Sequence, residues 1–315
     1  MKQHYLPEGM LEKTRENREA LASPTALEAA CRARMILEAP VVLCDNRMRL
    51  HVDLGCMRGI MEREEAVFCR PGEVIKDIAV ITRVGKTVAF VVEGFAVEDG
   101  ERVAVLSRRA AQAACVREYL PTLTPGDLIP ARVTHLENYG AFLDIGCGIS
   151  SLLSIDCISV SRISHPRDRL TNGMPLTVAV KSIESDTKRV FVTLKELLGT
   201  WEENAARFAA GQTVTGKIRS IEPYGVFVEL APNLAGLAEP ASGTALKCAV
   251  GDTAAVFIKS ILPERMKIKL VIVDACSTDT PPEALKYYID KNKVTHIDRW
   301  EYSPACATRL VETVF

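Results

Sequence analysis

The chain has 315 residues, 48 % hydrophobic and 25 % charged, which is the balance of an ordinary globular protein of two to four compact modules. Its formal net charge of −1 excludes a histone-like grip on nucleic acid, which depends on a large overall positive charge, but leaves room for local basic grooves. No run of about 18 apolar residues occurs and residues 1–10 lack the apolar core of an export signal, so a cytoplasmic protein with no membrane association is expected.

In chain order, residues 25–38 place Leu27, Ala30, Cys31, Met35 and Ile36 near helical period, which predicts an N-terminal helical segment over 1–37. Residues 38–110 read as a degenerate barrel, with strand-like runs at 41–45, 50–55, 75–84, 87–92 and 102–107. A helical connector is expected over 107–120. Next comes a barrel at 124–196, its strands near 128–136, 139–146, 150–154, 176–184 and 189–194, with an irregular stretch at 155–172. A second helical connector at 195–210 leads to a further barrel at 209–275. The tail, 276–315, reads as a short helix from Thr280 to about Lys291 and a hairpin of 294–302 with 309–315. The ten cysteines form no CxxC pair, so they read as small core residues, and neither a metal nor a cofactor is expected.

A repeat organises this pattern. Residues 126–133 (GDLIPARV) correspond to 211–218 (GQTVTGKI), and 138–145 (NYGAFLDI) to 223–230 (PYGVFVEL). The second copy is seven residues shorter between strands three and four, after which Val178, Lys181 and Ile183 match Val256, Lys259 and Ile261. Five short strands with one interruption describe a five-stranded Greek-key barrel of the OB type. The fold class expected is therefore mainly β: tandem OB barrels joined by short helices.

The repeated Tyr-Gly-x-Phe unit carries the functional reading. Residues three apart on an unbroken strand point to opposite faces, whereas a glycine between them permits a bulge or twist that brings both rings to one side. Tyr139 with Phe142, and Tyr224 with Phe227, would then form stacking platforms for the bases of an unpaired strand. Lys181 and Lys259 on the fourth strands, and Arg189 and Lys267 opening the fifth, are candidate phosphate or base contacts. Asp186 and Glu264 precede those cations in acidic turns. Packing of the rings into a core is the competing reading of the same residues. His135, His165 and His296 are isolated in sequence and read as surface or loop residues.

At these residues the chain resembles the RNA-binding repeat of bacterial small-subunit ribosomal protein S-one. The first copy matches at Gly126, Tyr139, Gly140, Phe142, Leu152, Gly173, Val180, Lys181, Asp186, Arg189 and Val190. The second matches at Gly211, Tyr224, Gly225, Phe227, Gly236, Leu237, Gly251, Lys259 and Ile261. The resemblance covers about 125–275 well and 38–110 weakly. It implies a non-enzymatic binder of single-stranded RNA, holding mRNA at the small ribosomal subunit. An off-ribosome RNA regulator, an accessory factor to RNA processing, and a protein-interaction scaffold with decayed RNA sites are the alternatives. Departures from the family set the copies apart. Ser154 and Glu239 stand where the family has a histidine, Lys267 replaces an arginine, and Glu264 replaces an aspartate. The second copy is therefore expected to be the weaker site, and the ring-less leading barrel to serve a protein contact.

Overall fold

The computed structural model describes residues 5–69, 72, 74–239, 248–276, 284–291 and 293–315. Three closed five-stranded barrels follow one another. The first comprises β1 (Ile36–Cys44), β2 (Leu50–Asp53), β3 (Arg58–Met61), β4 (Thr87–Glu98) and β5 (Glu101–Ser107). The second comprises β6 (Leu128–Glu137), β7 (Gly140–Asp144), β8 (Ser150–Ser154), β9 (Pro175–Ile183) and β10 (Val190–Thr193). The third comprises β11 (Thr213–Glu222), β12 (Gly225–Ala231), β13 (Leu234–Glu239), β14 (Thr253–Leu262) and β15 (Lys267–Cys276). Each barrel closes in the same order, one-two-three-five-four, with the third and fifth strands running parallel. That closure is the OB arrangement, and it leaves no free sheet edge to aggregate.

Contacts divide the chain into two compact units. One holds residues up to 123 together with 130–132 and 143–151, and the other holds 124–129, 133–142 and 152–315. In the first unit, α1 (Arg15–Leu21) starts where the Thr14 hydroxyl accepts from Asn17 N, and α2 (Pro24–Arg32) starts at Ser23 with proline in its first turn. α2 seals the first barrel by burying Leu27 and Ala30 in a core that includes Leu37, Leu50, Met61, Phe90 and Leu106. Burial of such side chains contributes about 1.5–3 kcal/mol each.

Here two expectations are corrected. The N-terminal helix does not reach Met35 and Ile36: Arg34 takes φ +52°, a left-handed conformation that ends the helix, and Ile36 opens β1. The β-branched run at 75–84 holds no strand of the barrel; it contains the one-and-a-half-turn helix α3 (Asp77–Ile81), lying between the third and fourth strands. Tertiary placement overrides propensity in so short a segment.

Residues 5–12 are anchored within this unit. Three backbone N–H groups, of Gly9, Leu11 and Glu12, donate to one oxygen of Glu38 at 2.8–3.0 Å. Glu8 pairs with the buried Arg108 (2.6 Å), and its own N–H donates to Asp144 (2.6 Å). The Arg108 guanidinium holds the Glu8 carboxyl below the usual range against the opposing effect of burial, whereas burial pushes Glu38 up to about 7.

The connectors are helical but short: α4 (Arg108–Ala114) continues into a π-helical turn, and α5 (Trp201–Ala205) is closed by a Thr200–Glu203 capping box. In the tail, residues 277–283 and 292 lie outside the described residues, and 284–291 form no helix, which corrects the expected one. The hairpin is present as β16 (Arg299–Glu301) paired antiparallel with β17 (Glu312–Val314). It is not a loose appendage. Trp300 and Tyr302 enter the third barrel's core, and the Tyr302 hydroxyl donates to Asn233 O at 2.7 Å. His296, read from sequence as an isolated surface residue, pairs with Asp127 at 2.7 Å and so ties the tail to the start of β6.

Candidate nucleic-acid interface

The two ring pairs come together as expected. Tyr139 and Phe142 lie 6.2 Å apart between centroids at 90°, and Tyr224 and Phe227 lie 6.2 Å apart at 87°. The mechanism differs from the bulge anticipated at the glycine. Tyr139 sits in the two-residue turn before β7, outside the strand, so strand alternation does not govern its direction. The glycine is needed for space: a Cβ on Gly140 would lie 2.4 Å from Leu153 O, and one on Gly225 would lie 2.6 Å from Ala238 O. With only hydrogen there, the turn and its tyrosine can press against the third strand. The tyrosines are exposed (56 % and 64 %) and the phenylalanines half-buried, so each pair forms an open edge-to-face corner on the surface and is not a core contact.

Lys181 and Lys259 occupy the same special position. In the second barrel Phe191 pairs with Ser182 and Val192 with Val180, leaving Lys181 as the extra residue of a bulge. In the third barrel Lys269 pairs with Ser260 and Leu270 with Ile258, leaving Lys259. A bulge re-aims the side chain it carries. Their surroundings differ. Lys181 Nζ donates to Cys157 Sγ at 3.1 Å, and this bond, with the nearby carboxylates of Asp156 and Glu196, raises the lysine's pKa. Lys259 instead faces Glu239 at 3.9 Å, which offsets its charge. Asp186 and Arg189 are exposed in and after the β9–β10 turn; Glu264 and Lys267 hold the matching places. Both turns pass through a left-handed non-glycine residue, Lys188 (φ +54°) or Met266 (φ +49°).

Register exposes residues that sequence reasoning missed. Tyr139 O accepts from Ile155 N, and Gly140 lies against Leu153 O, which sets Phe142 opposite Leu152. Leu152 pairs with Phe191, and Phe191 with Ser182. The outward row of the second barrel is therefore Phe142, Leu152, Phe191, Ser182. In the third barrel the same row reads Phe227, Leu237, Lys269, Ser260. In the first it reads His51, Ile60, Val105, Gly94. The signal for Phe191 was in the sequence, in the alternation Val190-Phe191-Val192, but its neighbours come from a parallel pairing that no local pattern shows.

The first barrel keeps the bulge but carries neither the ring pair nor a lysine there. His51 is buried and bonded to Asp45 (3.1 Å), Ile60 is buried, and the bulge residue is Glu93, paired with Arg34 at 2.9 Å. Arg49 bridges Asp45 (2.8 Å) and Glu98 (2.7 Å).

The fold defines a tandem of small OB-type β-barrels, two of which carry an exposed aromatic corner and a lysine on a bulge. Residues 122–195 match the S1 RNA binding domain family. The chain is 32 % identical over 170 residues to small ribosomal subunit protein bS1 of Staphylococcus haemolyticus, covering 52 % of this chain and 42 % of the relative. It is 33 % identical over 158 residues to the bS1 homolog of Bacillus subtilis, covering 49 % and 41 %. The match thus spans less than half the length of these curated relatives. A solved multidomain protein with nucleic acid binding domains from Streptococcus pneumoniae aligns over 76 % of this chain and 73 % of its own at 14 % identity and a TM-score of 0.23. Among the described residues no group of three or more His, Cys, Asp or Glu is placed to hold a metal, and no helix is long and apolar enough to cross a membrane.

Proposed function

We propose that the chain is a non-enzymatic, cytoplasmic binder of single-stranded RNA that holds mRNA at the small ribosomal subunit. The observation that carries this reading is the exposed Tyr139–Phe142 corner, repeated in geometry at Tyr224–Phe227 in a second barrel. Duplication of a core would preserve buried rings; it would not leave both tyrosines more than half exposed. Bases of an unpaired strand stack on such rings whatever their identity, whereas bases in a duplex are already stacked. Lys181 and Arg189, with Lys259 and Lys267 in the third barrel, supply charge for the phosphates, and Asp186 accepts from a ribose hydroxyl or base.

The barrels are unequal in this reading. The second is the stronger site, because the third carries the exposed carboxylate of Glu239, where Ser154 stands in the second, and an acid there repels phosphate. Fluorescence anisotropy with an unstructured RNA tests both claims. Tyr139→Ala with Phe142→Ala should weaken binding at least about fivefold, the loss of about one stacked base, and Tyr224→Ala with Phe227→Ala should weaken it less. Unchanged affinity in the first double variant refutes the platform. Co-sedimentation with small ribosomal subunits at low salt tests the ribosomal partner, and failure to sediment refutes it.

A further inference from the structure

The outward rows of the second and third barrels, Phe142-Leu152-Phe191-Ser182 and Phe227-Leu237-Lys269-Ser260, differ in chemical kind at one place only. Phe191 is half-buried between Val190 and Val192, which are buried at 4 % and 1 %, so its ring is the outward residue of β10. Lys269 is exposed between Ile268 and Leu270, each buried at 1 %. The register makes the two positions equivalent: each pairs with the leucine of the third strand and the serine of the fourth, one residue from the bulged lysine.

Phe191 lies two strands from Phe142, about 10 Å at the usual spacing between neighbours. That is too far for the two rings to sandwich one base, and Leu152 between them makes an apolar floor. Arg189, in the turn just before β10, is exposed. A single strand running from the Tyr139–Phe142 corner across β8 would therefore meet a second ring, then the cations Lys181 and Arg189. The same path on the third barrel meets an ammonium group, beside the pair Lys259–Glu239.

We propose that Phe191 is a second base-stacking position of the second barrel and that Lys269 is a phosphate contact of the third, so that one barrel grips RNA by its bases and the other by its charge. This rests on the single-stranded-RNA reading above and divides the work between its two sites. Stacking is largely insensitive to salt, whereas each neutralised phosphate lowers the slope of log K against log salt by about 0.7 on a single strand.

The test uses the full-length chain and a fluorescein-labelled oligouridylate, with an abasic oligonucleotide of the same length as the phosphate-only probe. With Tyr224→Ala and Phe227→Ala in place to silence the third corner, Phe191→Ala should weaken oligouridylate binding at least about fivefold with an unchanged salt slope, and should leave abasic binding alone. Phe191→Tyr should restore affinity. Phe191→Leu, which keeps the apolar floor and guards against misfolding, should not. With Tyr139→Ala and Phe142→Ala instead, Lys269→Ala should reduce the salt slope by about 0.7. Wild-type affinity in Phe191→Leu, or an unchanged slope in Lys269→Ala, overturns this inference. If Tyr139→Ala with Phe142→Ala still weakens binding at least about fivefold in the same assay, the broader reading stands. No effect of either the corner or the Phe191 variants sinks both.

Discussion

Glu229→Ala should destabilise the third barrel by about 3–5 kcal/mol. Glu229 of β12 receives Arg169, from the connector before β9, and Arg219 of β11, whose Nε lies 2.8 Å from Oε2. Arg219 also reaches Asp168 at 3.0 Å. The side chains of Arg169, Arg219 and Glu229 are 6 %, 7 % and 8 % exposed, so the cluster is dry, and burial lowers the pKa of Arg169. Removing the carboxylate leaves two buried guanidinium groups facing each other. Breaking one buried pair costs about 3–5 kcal/mol, because the remaining charge is stranded without solvent. Asp168 pairs with Arg219 and also acts on Arg169, but a single carboxylate cannot compensate both guanidinium groups, so most of the loss should remain.

The two tryptophans give a selective readout, since Trp201 and Trp300 both sit in the third barrel's core. At a urea dependence of about 2 kcal/mol per molar, the fluorescence midpoint should fall by about 2 M. The replacement Arg169→Met, Arg219→Met, Glu229→Leu should recover most of it, because an apolar cluster of similar volume has no charge to desolvate. A midpoint shift under about 0.5 M for Glu229→Ala would refute the argument that the pair is desolvated.

Two further outcomes are expected. Burial raises the Glu38 pKa from its ordinary 4.5 to about 7, so the folded state takes up the proton more readily; its stability contribution is full below about pH 4.5 and is lost as pH rises through 7. Glu38→Gln, which keeps an acceptor for the three N–H donors, should match wild type at pH 5 and exceed it by up to about 3 kcal/mol at pH 8 in thermal unfolding; a variant less stable at pH 8 would show that the donors outweigh burial. Gly140→Ala should cost about 1–3 kcal/mol, as its Cβ would lie 2.4 Å from a β8 carbonyl, and should weaken RNA binding by displacing Tyr139; circular dichroism melts and anisotropy report the two effects.

Much of the face was legible because its chemistry is local. Tyr139, Gly140 and Phe142 fall within four residues, and their repetition at Tyr224, Gly225 and Phe227 pointed to a corner that the structure closes to 6.2 Å. What was not legible depends on long-range pairing. Lys181 and Lys259 read as strand residues, but that each is a bulge follows only from register. Phe191 becomes part of the face through the parallel pairing of β10 with β8, and Glu229 meets Arg169 across 60 residues. The expected helix through Met35 and Ile36 had the right spacing, yet Arg34 at φ +52° ends it, a backbone decision that apolar period does not encode.

The first barrel shows how far topology and site are separable. It has the same closure, the same parallel contact between third and fifth strands, and the same bulge on the fourth. Inward residues must fill a barrel of fixed size, so they stay apolar: Leu50, Val52, Ala104 and Leu106 in the first, Val226, Val228, Ile268 and Leu270 in the third. Outward residues carry no such constraint. The row position that is Phe191 in one barrel and Lys269 in another is Val105 here, the bulge holds Glu93 in place of a lysine, and Phe142's place belongs to a buried histidine. A glutamate on the bulge, neutralised by Arg34, offers phosphate no cation, and a row closed by ion pairs offers a base no ring to stack on. The fold therefore fixes the barrel but not its outward chemistry, and in the first barrel the place of the ring is closed by the buried His51–Asp45 pair.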